Sequence, residues 1–179
     1  MKAKNDALKT GILNGIKVLD LSRMLSGPYA TMLLADHGAE VIKVEDAEGD
    51  SSRRSGPFKD TDTKKEWSGY FISLNRNKRS ICLNLKKKND SDFLKKLIRE
   101  VDILVENFRP GVMERLGLSF EEVLKINPKI VYGSISGFGS NIFGESPYKN
   151  WPSYDVVAQA MGGLISLTGY DEDTPLKVG

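Results

Sequence analysis

The sequence predicts an α/β protein organised on a parallel sheet, and three observations carry that reading. Short apolar runs recur along the chain with stretches of helical periodicity between them, the alternation that builds strand-helix-strand units. Ile103-Leu104-Val105 is apolar at consecutive positions, which suits a strand buried on both faces of a parallel sheet. That run meets Asn107, Phe108 and Arg109 and then Pro110-Gly111, the kind of strand-to-helix junction at which α/β proteins bind ligands.

Composition sets outer limits on function. At 179 residues, against roughly 100–200 per domain, the chain is one domain or part of a larger one. It is 40% hydrophobic and 28% charged, as ordinary globular proteins are. Its 26 basic and 24 acidic residues leave a net charge of +2, which excludes a strong field for nucleic acid or a membrane surface. One cysteine, Cys82, excludes an internal disulfide and fits a reducing compartment, so a cytoplasmic location is expected, with the mitochondrial matrix the alternative. No secretory signal or membrane span is visible; residues 1–14 read as a flexible amino-terminal segment and residues 15–179 as the folded part.

The first strand is expected over residues 16–21, where Ile16, Val18, Leu19 and Leu21 lie between Gly15 and the polar Ser22-Arg23. A helix follows, bracketed by Pro28 near its first position and Gly38 at its carboxyl-terminal stop, with His37 read as a structural helix-end residue. Residues 40–45 form the second strand, parallel to the first through a right-handed crossover. The turn at Ser22-Arg23-Met24-Leu25-Ser26-Gly27-Pro28 lacks the G-x-G-x-x-G pattern of a dinucleotide-binding unit, although amides at the start of its helix remain able to face an anion. Residues 46–69 are polar and irregular and read as a long loop, parts of which dock through Phe58, Trp67, Tyr70 and Phe71.

A third strand is expected over residues 80–85, with Ile81, Leu83 and Leu85 on one face and Cys82 packed in the core. Lys86-Lys87-Lys88 lies at its end, where cations either meet a phosphate or are simply solvated. Residues 89–101 place Phe93, Leu94, Leu97, Ile98 and Val101 on a helical stripe, opposite Lys95 and Lys96. After the strand at Ile103, a short helix ends near Gly117. Ser119-Phe120-Glu121-Glu122 then matches a capping box opening a helix that stops before Pro128. Residues 129–135 read as a further strand, and 137–147 as a glycine-rich turn region without the lysine-serine ending of a phosphate loop. Residues 153–167 read as a helix with Val156, Val157, Ala160, Met161 and Leu164 inward and Gly162-Gly163 permitting close packing. Asp171 to Thr174 reads as an acidic loop.

The chemistry concentrates at the junction after Val105. Two fixed cations, Arg109 and Arg115, beside the aromatic Phe108 suit a phosphorylated nucleotide. The alternative is a structural turn in which Asn107 caps the backbone and Arg109 is solvated.

Several motifs coincide in order and spacing from Gly15 onward. They are Val18-Leu19-Asp20-Leu21 with Ser26-Gly27-Pro28, Gly38-Ala39-Glu40-Val41-Ile42-Lys43-Val44-Glu45, Asn77-Lys78-Arg79-Ser80, Val105-Glu106-Asn107-Phe108-Arg109-Pro110-Gly111 and Tyr154-Asp155-Val156-Val157-Ala158-Gln159-Ala160. Together they resemble the class III CoA-transferase family, the CaiB/BaiF type, to which formyl-CoA transferase and carnitine CoA-transferase belong. The resemblance implies a Rossmann-like parallel sheet with helices on both faces, the amino-terminal part of the family's large CoA-binding domain, with the small domain lying outside residues 15–179. By motif, the CoA-contacting positions are Leu83, Lys86, Asn107, Phe108, Arg109, Arg115, Tyr154 and Asp155. Lysine and arginine would neutralise the phosphates of CoA, and Phe108 or Tyr154 would supply an apolar wall for adenine or pantetheine.

Members of this family use an aspartate as nucleophile, passing through a mixed anhydride and an enzyme-bound thioester that the acceptor acid resolves. By the family pattern that aspartate lies a few residues past Gly179, so the sequence contains no catalytic residue by resemblance and looks like a truncated chain that is inactive alone. Asp171 and Asp173 sit before the matching position. The family also implies a homodimer when full length, acyl-CoA and carboxylic acids as substrates, coenzyme A as substrate instead of cofactor, and no metal. Leu25 stands where formyl-CoA transferase has a glutamine and Asp46 where it has an arginine, which puts formyl and oxalate specificity in doubt. The related acyl-CoA racemases carry a histidine at the Tyr154 position, so a transferase is favoured over a racemase relative. A non-catalytic CoA-binding fragment and an unrelated nucleotide-binding α/β protein are the competing readings.

Overall fold

The computed structural model describes residues 11–139, 144–171 and 173–179, in two compact units that divide after Ile135. Most of the segment expected to be flexible, residues 1–10, lies outside the described residues, as do 140–143 of the glycine-rich region and Glu172 of the acidic loop.

The first unit is a parallel five-stranded sheet in the order β3-β2-β1-β4-β5. Its strands are β1 (Lys17–Asp20), β2 (Glu40–Glu45), β3 (Lys78–Cys82), β4 (Ile103–Glu106) and β5 (Val131–Ser134). Register explains the two-sided core. Leu19, Ile42 and Leu104 lie side by side across β1, β2 and β4, and so do Val18, Val41 and Ile103 on the opposite face. The first set joins Leu94 and Ile98 of α3 (Lys88–Glu100) and Val123 of α5 (Phe120–Ile126). The second joins Ala35 of α1 (Ser26–Asp36). Helices therefore cover both faces, which is why the central strands read as unbroken apolar runs.

Local chemistry sets the helix ends. Ser119 accepts a hydrogen bond from the Glu122 N–H and caps α5. His37 closes α1, its Nδ1 lying 2.7 Å from the Leu33 carbonyl. The short α4 (Val112–Arg115) follows β4 and its turn.

In the first unit four expectations need correction. The third strand begins at Lys78, paired with Val41, and ends at Cys82, because Asn84 turns the chain: its N–H bonds the Asp90 carboxylate and its carbonyl accepts from Lys87. Cys82 is exposed instead of packed in the core, since it lies on the edge strand. The long loop contains a 3-10 turn, Ser51–Arg54, and residues just past it form a helix, α2 (Gly69–Asn75), capped by Ser68 and buried through Phe71 and Leu74. The α3 stripe is narrower than expected, with Phe93 47% exposed.

In the second unit, α6 (Asp155–Met161) is shorter than the helix expected over 153–167. Gly163 takes φ +80°, a left-handed conformation that ends the helix, and a separate 3-10 turn follows at Ile165–Leu167. The expected inward residues Val156, Met161 and Leu164 are exposed. Gln159 is buried instead, its side-chain amide donating to the Val178 carbonyl and accepting from the Val178 N–H. Among the described residues, no helix is long and apolar enough to cross a membrane.

Candidate functional site

All five strands are parallel, so their carboxyl ends share one edge. The strand order turns back between β1 and β4, and loops leaving adjacent strands in opposite directions open a crevice at such a point. The loop after β1 is held from three sides. Asn107, just past β4, bonds both the N–H and the carbonyl of Arg23. The buried Lys43 ammonium donates to the Ser22 carbonyl at 2.8 Å and pairs with Asp50 at 2.9 Å. Asp50 in turn accepts from the Met24 N–H, holding Met24 at φ 65°, a conformation an unbranched non-glycine residue adopts only when its surroundings fix it. A Cβ on Gly27 would lie 2.2 Å from the Ser22 Cβ, so only glycine lets α1 start this close to the loop.

Beneath the loop lies a buried polar network that sequence reasoning missed. Asp20 accepts from the Ser22 N–H, the hydroxyls of Ser22 and Thr31, and the Lys78 ammonium at 3.0 Å. Glu45 accepts two bonds from Arg53 at 2.7 Å each and one from Ser80 at 2.6 Å. Arg53 also lies over the ring of Phe71, 3.7 Å from its centroid. Among the described residues no buried side-chain nitrogen or oxygen lacks a partner. The available signal was Lys43 set within the apolar run of β2, a charge where a buried strand has no room for an unpaired one.

Electrostatics follow from this packing. Burial opposes ionisation of Glu45, but the hydrogen bonds from Arg53, Ser80 and the Asp50 amide outweigh it and hold the carboxyl down to about 2. Burial likewise opposes Asp50, and Lys43 with Ser52 overcomes it, so that its carboxyl stays below the ordinary range. Burial pulls the Lys78 ammonium down despite Asp20, and pushes the Glu106 carboxyl at the end of β4 up.

A cleft of about 470 Å³ opens at the carboxyl edge. Leu21 and Arg23 after β1, Asp46 after β2, Leu83 and Lys86 after β3, and Phe108 with Val112 and Leu116 after β4 line it. Three of the site residues expected from sequence, Leu83, Lys86 and Phe108, thus come together from strands that are not neighbours. Asn107 stands on the same edge but faces the Arg23 backbone, the capping role left open by the sequence. Arg109 and Arg115 are exposed on the turn and on α4, outside the cleft lining, with the Arg115 guanidinium reaching back over Gly111. Tyr154 and Asp155 belong to the second unit: Tyr154 is the exposed residue before α6, and the Asp155 carboxylate accepts from Gln159 at 2.6 Å. A larger groove of about 800 Å³ lies on the other side of the β2 end, between Glu45, Arg54, Lys64 and Trp67.

Apolar side chains, an aromatic ring and cations lining one cleft suit a phosphorylated ligand with an apolar body. No group of three or more metal-ligating side chains comes together among the described residues.

Comparison with known proteins agrees with this architecture. The model of CoA-transferase family III matches residues 13–179. The chain is 44% identical over 169 residues to succinyl-CoA:mesaconate CoA-transferase of Haloarcula marismortui, covering 94% of this chain and 43% of that protein. It is 48% identical over 167 residues to formyl-CoA:oxalate CoA-transferase of Streptomyces coelicolor, covering 93% and 38%. A CAIB/BAIF family protein from Brucella suis superposes with a TM-score of 0.86 at 40% identity, covering 94% of this chain and 44% of that one. The chain therefore spans about two-fifths of the length of the curated relatives it matches.

Proposed function

Because the chain belongs to CoA-transferase family III, we propose that it forms the coenzyme A-binding part of an enzyme moving CoA from an acyl-CoA donor to a carboxylic acid acceptor. The observation that carries this reading is the cleft at the carboxyl edge, where Lys86 and the ring of Phe108 converge over an apolar floor of Leu21 and Leu83. In it, Lys86 neutralises a CoA phosphate, Phe108 supports the adenine or the pantetheine, and Arg109 and Arg115 on the adjoining turn take further phosphate oxygens. Asn107 keeps the edge in shape through Arg23. By the family resemblance the remaining expected CoA-contacting positions are Tyr154, the residue before α6, and Asp155, its first residue, both in the second unit.

In this reading an aspartate carboxylate attacks the acyl-CoA carbonyl, the carbon–sulfur bond breaks, and the CoA thiolate leaves a mixed anhydride. The thiolate then attacks the aspartyl carbonyl and the donor acid departs; the acceptor carboxylate attacks the aspartyl thioester, expelling the thiolate and forming a second anhydride, and the thiolate attacks the acceptor acyl carbonyl of that anhydride, releasing the new acyl-CoA and the free aspartate. The expected nucleophile falls after Gly179, so residues 1–179 bind CoA but do not turn it over. The working protein is a homodimer in the cytoplasm, or in the mitochondrial matrix, and needs no metal. Mesaconate, oxalate and glutarate, named for the relatives, are the acceptors to try first.

Two measurements test the reading. Calorimetric titration of the protein with CoA should give saturable binding that is abolished by filling the cleft with Leu83→Trp. Thioester exchange should then be followed by chromatography with succinyl-, formyl- and acetyl-CoA against the three acids. Absence of CoA binding overturns the site. Turnover by residues 1–179 that is lost on changing Asp171 or Asp173 overturns the assignment of the nucleophile.

A further inference from the structure

We propose that Arg23 reads the phosphate on the ribose of coenzyme A and that Asp46 is the positioning residue that aims it. The inference rests on the cleft being a CoA site and adds to it a residue pair that selects between phosphorylated and unphosphorylated ribose.

In dinucleotide-binding doubly wound sheets the ribose is read at the end of the second strand, and the same edge is open here without the glycine fingerprint. An acidic side chain there favours a free hydroxyl, and an arginine nearby accommodates a phosphate. Asp46 follows β2 directly, so by itself it would repel a phosphorylated ribose. It is not by itself: Arg23 Nη2 donates to Asp46 Oδ2 at 2.8 Å. Among the described residues this is the one hydrogen bond the guanidinium makes, which leaves its other N–H groups for a ligand. The side chains are 43% and 38% exposed and both line the cleft, so the pair meets whatever enters and adds little to stability.

Both ends of Arg23 are fixed before a ligand arrives. Its backbone is gripped by Asn107, and the next residue by Asp50. Its guanidinium carbon lies 5.6 Å from the centroid of the Phe108 ring, and Asp46 fixes the remaining rotation. A cation held this way loses little freedom on binding, and its planar fork matches a phosphate. Lys86 stands in the same cleft as a second, more flexible cation.

The test is the ratio of affinities for CoA and dephospho-CoA, which lacks the ribose phosphate, measured by calorimetry on the protein and four variants. The unchanged protein should prefer CoA by about tenfold to a hundredfold, the worth of one charge-assisted bond. Arg23→Ala should abolish or invert that preference, because Asp46 then faces the phosphate uncompensated. Asp46→Ala should lower the preference several-fold while Arg23 is present and raise it in the Arg23→Ala background, a reversal of sign that a merely structural role does not produce. Arg23→Gln repeats the test should the alanine variant fail to fold. Equal affinity for the two ligands in the unchanged protein, or an unaltered ratio in Arg23→Ala, overturns the role of Arg23 and leaves the CoA site standing. An Asp46→Ala effect of the same sign in both backgrounds overturns the positioning role. Binding of neither ligand overturns the inference together with the site.

Discussion

Asn107 and Arg23, 84 residues apart in the chain, are joined by two hydrogen bonds through one side-chain amide: Oδ1 accepts from the Arg23 N–H and Nδ2 donates to the Arg23 carbonyl, each at 2.8 Å. The amide thereby ties the loop after β1 to the loop after β4, across the point where the sheet order turns back.

Asn107→Ala leaves both backbone groups of Arg23 without their partner. It should cost roughly 1–3 kcal/mol in urea unfolding and weaken CoA binding through the displaced loop. Asn107→Asp keeps the acceptor and loses the donor, so part of the loss should return. A variant as stable as the parent would show that water replaces the amide.

Lys86→Ala and Arg115→Ala test the phosphate contacts. Each should weaken CoA binding by about tenfold to a hundredfold if its cation meets a phosphate, and Phe108→Ala should weaken it without changing the salt dependence. An unchanged dissociation constant in Lys86→Ala, Arg109→Ala and Arg115→Ala would make this edge a structural turn with solvated cations.

Glu45 couples the fold to pH. Its carboxyl falls from an ordinary 4.5 to about 2 in the folded protein, so the folded state binds the proton less tightly than the unfolded state does. The stabilisation is therefore complete above pH 4.5 and is lost as pH falls from there towards 2. Glu45→Gln should remove on the order of 3 kcal/mol at neutral pH and flatten the acid limb of a thermal-midpoint profile. A limb of unchanged steepness would assign acid sensitivity to other carboxylates.

Cys82 is exposed on the edge strand. A maleimide should label it in the native protein without denaturant, at a rate that changes little when urea is added, and Cys82→Ser should be neutral in stability to within about 0.5 kcal/mol. Protection from labelling until unfolding would restore the buried position expected from sequence.

The sequence by itself determined the parallel α/β class, β1, β2 and β4, the carboxyl end of α1, the ends of α5, and the family. Each of these rests on a short-range signal: an apolar run, Gly38 at the stop of a helix, Ser119 capping Glu122, or a motif read in order; α1 starts two residues before Pro28, at Ser26. Helix α2 escaped because Gly69-Tyr70-Phe71-Ile72-Ser73-Leu74-Asn75 is poor in strong helix formers and is stabilised by burying Phe71 and Leu74. The end of α6 depended on the φ of Gly163, and the burial of Gln159 on its bonds to Val178. Only the tertiary structure could decide the lining of the cleft and the buried charge pairs beneath the loop after β1. A lysine or glutamate can be buried only when a partner from another strand or loop neutralises it, and Lys43 with Asp50, Glu45 with Arg53 and Asp20 with Lys78 meet through the folding of the sheet, not through their spacing in the chain.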